Sequence, residues 1–407
     1  MIQKNKQYYK FCFYGFLKNL RFFDAFFLLY LLQKGFSYTE IGGLYAIREL
    51  VINFAEIPTG IIADTYGRKN ALVISFLAYI ISFLLFAFST NYIFTLLAFV
   101  LYGLGDSFRS GTHKAMIMHY LALQNKENTK VNYYGHTRAC SQRGSALSAL
   151  IAGVIVYFSG NYQSIFIIST LPYLLNMLLI ISYPNELNSS VKKKNRKSIG
   201  KTIKNLFYTI SKPRVFAVVH SSAVFTAFQK SVKDYIQPLM IKVALIIPFL
   251  IDESTEKRNG LIVGILYFLL FLLNARASTL AEKISKKLRN PIVLTLSAGF
   301  IFGIISAVFY QLNWWFVSLL FFTGIYLIES IRKPILTGLL SERVPNEILA
   351  SAISAQSLYR SLLTAVLSLG FGYSIDHFGL GYGLIIMSTL LLLSVIIVII
   401  SHQLTKD

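Results

Sequence analysis

The sequence predicts an all-α membrane protein of twelve transmembrane helices arranged as two pseudo-symmetric six-helix bundles. Three observations point to it. Of the 407 residues, 55% are hydrophobic and only 14% are charged, with a mean hydropathy of +0.58; a soluble domain carries about 25% charged residues. Apolar runs recur at the length, roughly 20 residues, that a helix needs to cross about 30 Å of hydrocarbon. One long basic interruption divides these runs into six and six.

In chain order, spans are expected near 11–32, 41–63, 71–89, 93–121, 135–158 and 164–183, then 215–250, 260–280, 292–312, 314–340, 350–375 and 380–400. The first follows Lys4, Lys6 and Lys10 as a secretory leader would. It is long, however, contains Lys18, Arg21 and Asp24 and lacks a small-residue cleavage site, so it is read as a retained span. The fifth carries Gly144, Ser145, Ser148, Ala149, Ala152 and Gly153, a small-residue stripe suited to close helix packing. The seventh is too long for one straight pass, and a bend is expected at Pro238. Trp314 and Trp315 open the tenth, where an interfacial belt belongs, and the 33 Phe and 25 Tyr are expected to face mostly lipid and interface.

Loop charge sets the orientation. With twelve spans, the N-terminal lysines, Arg68 and Lys69, the linker lysines 192–194, 197, 201 and 204, and the cluster Lys283, Lys286, Lys287 and Arg289 all fall on one side. The positive-inside rule then gives a multi-pass protein of the cytoplasmic (inner) membrane with both termini cytoplasmic. The expected domains are an N-terminal bundle over 1–184, a basic linker over 185–214 and a C-terminal bundle over 215–407.

Internal repetition supports two related halves. Residues 62–69 are echoed by 280–287, Asp106-Ser-Phe-Arg109 by Glu329-Ser-Ile-Arg332, and Lys18-Asn-Leu-Arg21 by Lys230-Ser-Val-Lys233, in the same order and at nearly constant offset. Between the second and third runs lies a tight charged turn, Gly60-Ile-Ile-Ala-Asp64-Thr-Tyr-Gly67-Arg68-Lys69. So short a link makes the two helices an antiparallel hairpin, with Gly60 and Gly67 allowing close backbones, Asp64 able to meet a helix N-terminus and Arg68 and Lys69 suited to an anionic leaflet. Gly-x-x-x-Asp-x-x-Gly-Arg-Lys at this position resembles the loop signature of the major facilitator superfamily. The resemblance implies that fold, a substrate near midplane between the halves, and a conformational latch in which Asp64 reaches the N-terminus of the eleventh helix near Leu349 to Ser351. Capping of the third helix is the other reading of Asp64. The fifth span lacks the Gly-Pro element typical of drug–proton antiporters, and Arg109 is followed by Ser110, Gly111 and Thr112 rather than the family's Gln-Gly pattern.

Ionisable residues inside the spans are the candidate functional groups, because each costs roughly 2.5–3.5 kcal/mol to insert and therefore faces a cavity or a partner. Among these, Lys18, Arg21, Arg48, Arg109, Arg138, Arg143, Lys230, Lys233, Arg276, Arg332 and Arg360 outnumber Asp24, Glu49, Glu56, Asp106, Asp234 and Glu329, so mutual pairing cannot neutralise them all. Lys18 with Arg21, and Lys230 with Lys233, are three apart and would share a helix face. Two such pairs on one cavity would bind a carboxylate, phosphate ester or sulfonate; otherwise they pair with Asp24, Asp106, Asp234 or Glu329 and hold the bundle. Asp106 with Arg109, and Glu329 with Arg332, are read as internal ion pairs. Proton coupling would fall to Asp24, Glu49, Glu56, Asp106 or Glu329, and His113 is read as a polar residue near its helix end.

Other classes lose ground. The basic loops suit a membrane surface rather than nucleic acid. Cys12 and Cys140 are isolated, no histidine has metal-ligand spacing, and neither a nucleophile motif nor a phosphate-binding Gly-Lys-Ser/Thr loop occurs, so no enzyme activity, metal or cofactor is expected. The expected function is secondary transport by alternating access, as a monomer, of a small and anionic molecule, with protons as a candidate coupling ion. A drug or lipophile exporter, or a lipid flippase on the same fold, is the alternative, and an intramembrane enzyme with His113, His119 and His136 around Asp106 is the alternative of a different class.

Overall fold

The computed structural model describes residues 4–126, 130–188, 208–247 and 253–403, and no β-strand occurs among them. The helices are α1 (Lys6–Lys18), α2 (Phe27–Gln33), α3 (Tyr38–Tyr66), α4 (Arg68–Phe88), α5 (Tyr92–Arg109), α6 (Thr112–Leu123), α7 (Lys130–Ser159) and α8 (Gln163–Ile181). They are followed by α9 (Pro213–Val232), α10 (Ile236–Ile246), α11 (Thr255–Lys287), α12 (Pro291–Gln311), α13 (Trp315–Arg343) and α14 (Asn346–Gln403), the last interrupted at Gly379, where φ is +80°. Among the described residues eight helices are long and apolar enough, by length and composition, to cross a membrane. Most of the basic linker, residues 189–207, lies outside the described residues, as does the end of the seventh run at 248–250.

Two of the expected spans, the first and the seventh, are interrupted at their basic pairs. The first run stops at Lys18, makes a 3-10 turn over Phe22–Ala25 and resumes as α2. The freed carbonyls are met inside the bundle: Asn19 donates to Gly15 O at 2.6 Å, Asn176 to Tyr14 O at 3.0 Å and the Tyr173 hydroxyl to Lys18 O at 3.0 Å. Non-helical backbone is tolerated at membrane depth only when it is satisfied in this way. The seventh run breaks over Lys233–Tyr235, ahead of the expected Pro238, which sits in the first turn of α10 where a missing N–H costs nothing. There the Tyr326 hydroxyl donates to Lys233 O at 2.6 Å.

Packing gathers the helices into two compact units. One comprises Met1–Lys34, Ile47–Lys192 and Ala244–Phe271, the other Gly35–Ala46, Lys193–Val243 and Leu272–Asp407. In the first, α4 lies against α5 and α8, and α1 against α7. The largest aromatics fill this unit rather than facing lipid: Phe23, Phe83, Phe86, Phe99 and Tyr173 are buried, with Phe23 stacked on Phe166 at 5.5 Å and Phe83 edge-on to Tyr173 at 4.8 Å. Edge and offset contacts between buried rings add about 0.5–1.5 kcal/mol each beyond their area. The small-residue stripe on α7 packs as the sequence suggests. A Cβ on Gly153 would lie 3.0 Å from Gly260 O of α11, and one on Gly144 would lie 2.5 Å from Phe16 O of α1.

The second unit packs α9 against α14 and α13, and α12 against α13 and α14. Ser306 and Ser318 donate to each other's backbone carbonyls at 2.9 and 2.8 Å, clasping α12 to α13. The start of α3 is doubly capped. Ser37 and Glu40 form a capping box, and Asp376 accepts from Tyr38 N at 3.0 Å, Thr39 N at 2.7 Å and the Thr39 hydroxyl at 2.6 Å. A carboxylate on the positive end of a helix satisfies donors and complements the dipole. Asp376→Ala is therefore expected to cost about 0.5–2 kcal/mol, read as a lowered thermal midpoint that Asp376→Asn largely restores; an unchanged midpoint for the alanine variant would contradict the assignment.

Candidate functional site

The turn after α3 shows how the charged signature is held. Gly67 has φ +98°, a left-handed conformation that a side chain would strain, and a Cβ there would collide with Asn188. Asn188 Oδ1 accepts from Lys69 N at 3.0 Å and Asn70 N at 3.4 Å, so it is Asn188, and not Asp64, that serves the N-terminus of α4. Lys69 Nζ donates to Tyr183 O at 2.8 Å, just beyond α8, and Arg68 to Ala115 O of α6 at 3.3 Å, which ties both cations to backbone carbonyls. Asp64 is exposed, 3.8 Å from Arg68. Gly60 makes no close approach, with nothing within 4 Å of where its Cβ would lie.

The fourth expected span also breaks. Gly111, at φ +71°, turns the chain between α5 and α6, and this turn delivers Arg109, His113 and Lys114 to one place. With α1 and α7 they enclose a cavity of about 350 Å³ inside the first unit. Its wall includes Lys18 and Asn19 at the end of α1, Arg109, His113 and Lys114 around the turn, and Thr137, Arg138, Ser141, Gln142 and Ser145 of α7. Four of these residues are cationic and none is a carboxylate.

The polar groups behind this wall are organised. Arg109 Nη2 lies 2.7 Å from Asp106 Oδ1, its Nε donates to the Tyr79 hydroxyl at 3.0 Å, and that hydroxyl donates to Asp106 at 2.5 Å. The triangle fixes the guanidinium and uses one carboxylate oxygen twice, as a charge-assisted network should. His113 stacks on Tyr14 with centroids 3.5 Å apart, and its Nε2 is 3.4 Å from the Tyr183 hydroxyl. Lys18 differs from its neighbours. It is half-buried, and its ammonium makes no hydrogen bond or ion pair among the described residues.

The expected pairing of Lys18 with Arg21 on one face does not survive the break, because α1 ends between them. Arg21 donates through Nε to the Tyr173 hydroxyl at 3.2 Å and shares with Asp24 a narrow cleft beside Ser145 and Ser148. Lys233 lies 3.2 Å from the buried Asp234, and Lys230 stands one turn earlier on α9. Glu49 is buried and lies 3.5 Å from Arg48, whereas Glu56 is exposed and accepts from the Ser110 hydroxyl at 3.2 Å.

Glu329 and Arg332 are not an ion pair. Arg332, fully buried, donates to Ser221 O and Oγ at 3.0 and 2.6 Å, to Thr295 Oγ1 at 2.6 Å and to Ile292 O at 3.1 Å, and lies 5.0 Å over the Phe225 ring. It thereby joins α13 to α9 and α12. Glu329 accepts from the Thr226 hydroxyl at 2.8 Å. Three-residue spacing permits an i, i+3 contact, but the guanidinium's fork reaches four neutral acceptor atoms on neighbouring helices instead.

Sequence reasoning missed Lys114 altogether and left His113 and Arg138 outside the site. The available signal was Ser110-Gly111-Thr112, a turn tripeptide inside an apolar run, which redirects the chain after residue 112.

Comparison with known proteins identifies the fold and the family. A family model described as the Major Facilitator Superfamily matches residues 19–368. The chain belongs to the major facilitator superfamily. It is 24% identical over 381 residues to an uncharacterized MFS-type transporter, YxaM, of Bacillus subtilis (strain 168), covering 92% of this chain and 90% of that one. Among solved structures, a mutant form of the nucleoside transporter NupG superposes with a TM-score of 0.77 at 14% identity, over 96% of this chain and 99% of the other. The D-xylose–proton symporter gives 0.66 at 15% identity, over 96% and 95%, and a POT family transporter in complex with 5-aminolevulinic acid gives 0.65 at 13%, over 97% and 93%. At such identities the likeness is one of fold, and the protein is a multi-pass membrane protein of the superfamily.

Proposed function

We propose that the chain is a secondary active transporter working by alternating access, and that its substrate is a small organic anion held in part by the cavity beside Lys18. The charge of the cavity wall carries this reading: Lys18, Arg109, Lys114 and Arg138 line it without a carboxylate among them. Asp106, the nearby acid, is engaged by Arg109 and Tyr79. An anion entering the cavity gains charge-assisted hydrogen bonds worth roughly 1.5–3 kcal/mol each, whereas a neutral solute leaves the Lys18 ammonium without a partner.

Twelve passes, a basic linker over 185–214 between halves 1–184 and 215–407, cytoplasmic termini, the inner membrane and a monomeric state complete the proposal. The loop charges support it. Protons are proposed as the coupling ion, taken up by Glu329, whose carboxylate meets a neutral hydroxyl rather than a cation and so can change charge without breaking an ion pair. Counterflow of labelled candidates into proteoliposomes, with and without a pH gradient, tests the reading. Exchange confined to anions and accelerated by the gradient is expected; exchange of neutral nucleosides or sugars in place of anions would refute it.

Asp64 is proposed to act as a conformational latch. Because Asn188 serves α4, the Asp64 carboxylate is not needed for capping. Asp64→Asn is expected to slow transport strongly at near-normal thermal stability, measured on the same purified protein. Unimpaired transport by that variant would remove the latch.

A further inference from the structure

A second concavity of the first unit lies away from the cation-lined cavity. It measures about 600 Å³ and is formed by α1, α7 and the end of α8. Its body is apolar, with Phe13, Phe16 and Leu179, and its cations are Lys6 and Lys10 of α1 and Arg143 of α7, with no carboxylate in the wall. Phe13 is 52% exposed. Leu171, Leu175 and Leu178 continue an exposed apolar face along α8 towards Leu179, which in a membrane protein is the surface that lipid tails cover. Lys10 Nζ donates to Ser182 O at 2.6 Å, fixing the end of α8 against α1.

We propose that this groove binds one anionic phospholipid of the surrounding bilayer, the headgroup phosphate on Lys6, Lys10 and Arg143 and one acyl chain along Phe13, Phe16 and Leu179. Length and charge both fit. From Lys6 to Phe16 the helix rises about 15 Å, half of the roughly 30 Å hydrocarbon thickness, so the groove accommodates a chain from one leaflet. Basic residues at the membrane surface attract anionic lipid, each raising the preference about fivefold, and no acidic side chain in the wall opposes them. The polar cavity beside Lys18 has the opposite make-up, with hydroxyls and an amide among its cations, and does not offer an acyl chain an apolar bed.

The molecule supplies its own reporter, since its two cysteines, Cys12 and Cys140, both line this groove. Cys12 is buried and Cys140 partly exposed. In a Cys12→Ser background the full chain is reconstituted into phosphatidylcholine vesicles with or without phosphatidylglycerol, and the rate of maleimide labelling at Cys140 is measured. Phosphatidylglycerol is expected to slow labelling at least about fivefold. The pair Lys6→Gln with Arg143→Gln, both exposed side chains, should remove most of that protection while the thermal midpoint stays put. Adding Lys10→Gln should remove the rest. Equal labelling in both vesicle types would overturn the proposal, as would protection that persists in the stably folded double variant. Protection by inorganic phosphate in detergent, without phospholipid, would likewise overturn it by showing a bare anion site.

Discussion

Lys18→Gln is expected to weaken binding of the anionic substrate on the order of tenfold or more while leaving the thermal midpoint close to that of the unaltered protein. The two readouts separate because Lys18 lines the cavity yet its ammonium makes no hydrogen bond or ion pair among the described residues, and the hydrogen bond that its backbone carbonyl accepts from Tyr173 does not depend on the side chain. Removing it costs the fold little and costs the anion one charge-assisted contact. Lys18→Arg, which keeps the charge, should retain most of the affinity. Arg21→Gln should behave in the opposite way, losing its hydrogen bond to Tyr173 and exposing Asp24 in their shared cleft, so that stability falls and affinity moves less. Direct binding of the transported anion, measured beside the melting curve for each variant, checks the pattern. Equal affinity in a stably folded Lys18→Gln protein would place the anion elsewhere.

Arg332→Gln is expected to destabilise the protein by roughly 3 kcal/mol or more, because hydrogen bonds to a charged group contribute about 1.5–3 kcal/mol each and Arg332 makes four of them across three helices. Its loss leaves the Ser221 and Thr295 hydroxyl oxygens without that charged donor in the core. Arg332→Lys should rescue little, since a single ammonium cannot reach α9 and α12 at once. Glu329→Gln, by contrast, should leave stability nearly unchanged, because an amide oxygen can still accept from Thr226. Were the two residues an ion pair, Glu329→Gln would uncover a buried charge and cost several kcal/mol. Thermal melts of the three variants distinguish the cases.

The fold class was legible because it follows from quantities that the chain displays directly: the length of its apolar runs and the charged turn from Gly60 to Lys69. The site was legible only in part. A residue count places Lys18 and Arg21 on one helical face, but it cannot show that Asn19, Asn176 and Tyr173 will satisfy the carbonyls of a broken helix and so permit the break between them. The same holds at Gly111, whose turn carries Lys114 and His113 to the cavity wall. Pairing is harder still. Spacing offered Arg332 to Glu329, and only the position of Ser221 and Thr295 on neighbouring helices decides against it. Aromatic residues misled for a related reason, because composition alone does not separate a ring that faces lipid from Phe23 or Phe83, which fill the interior.

On the proposed reading a small anion occupies the cation-lined cavity during transport. Thr137 lies on its wall, so a single cysteine introduced there, with Cys12 and Cys140 replaced by serine, reports occupancy. Labelling by a small membrane-impermeant thiol reagent is followed with the transported anion and with an uncharged analogue of the same size. Protection by the anion alone, lost in Lys18→Gln, is the predicted result; no protection by any transported solute, or equal protection by the uncharged analogue, would contradict it.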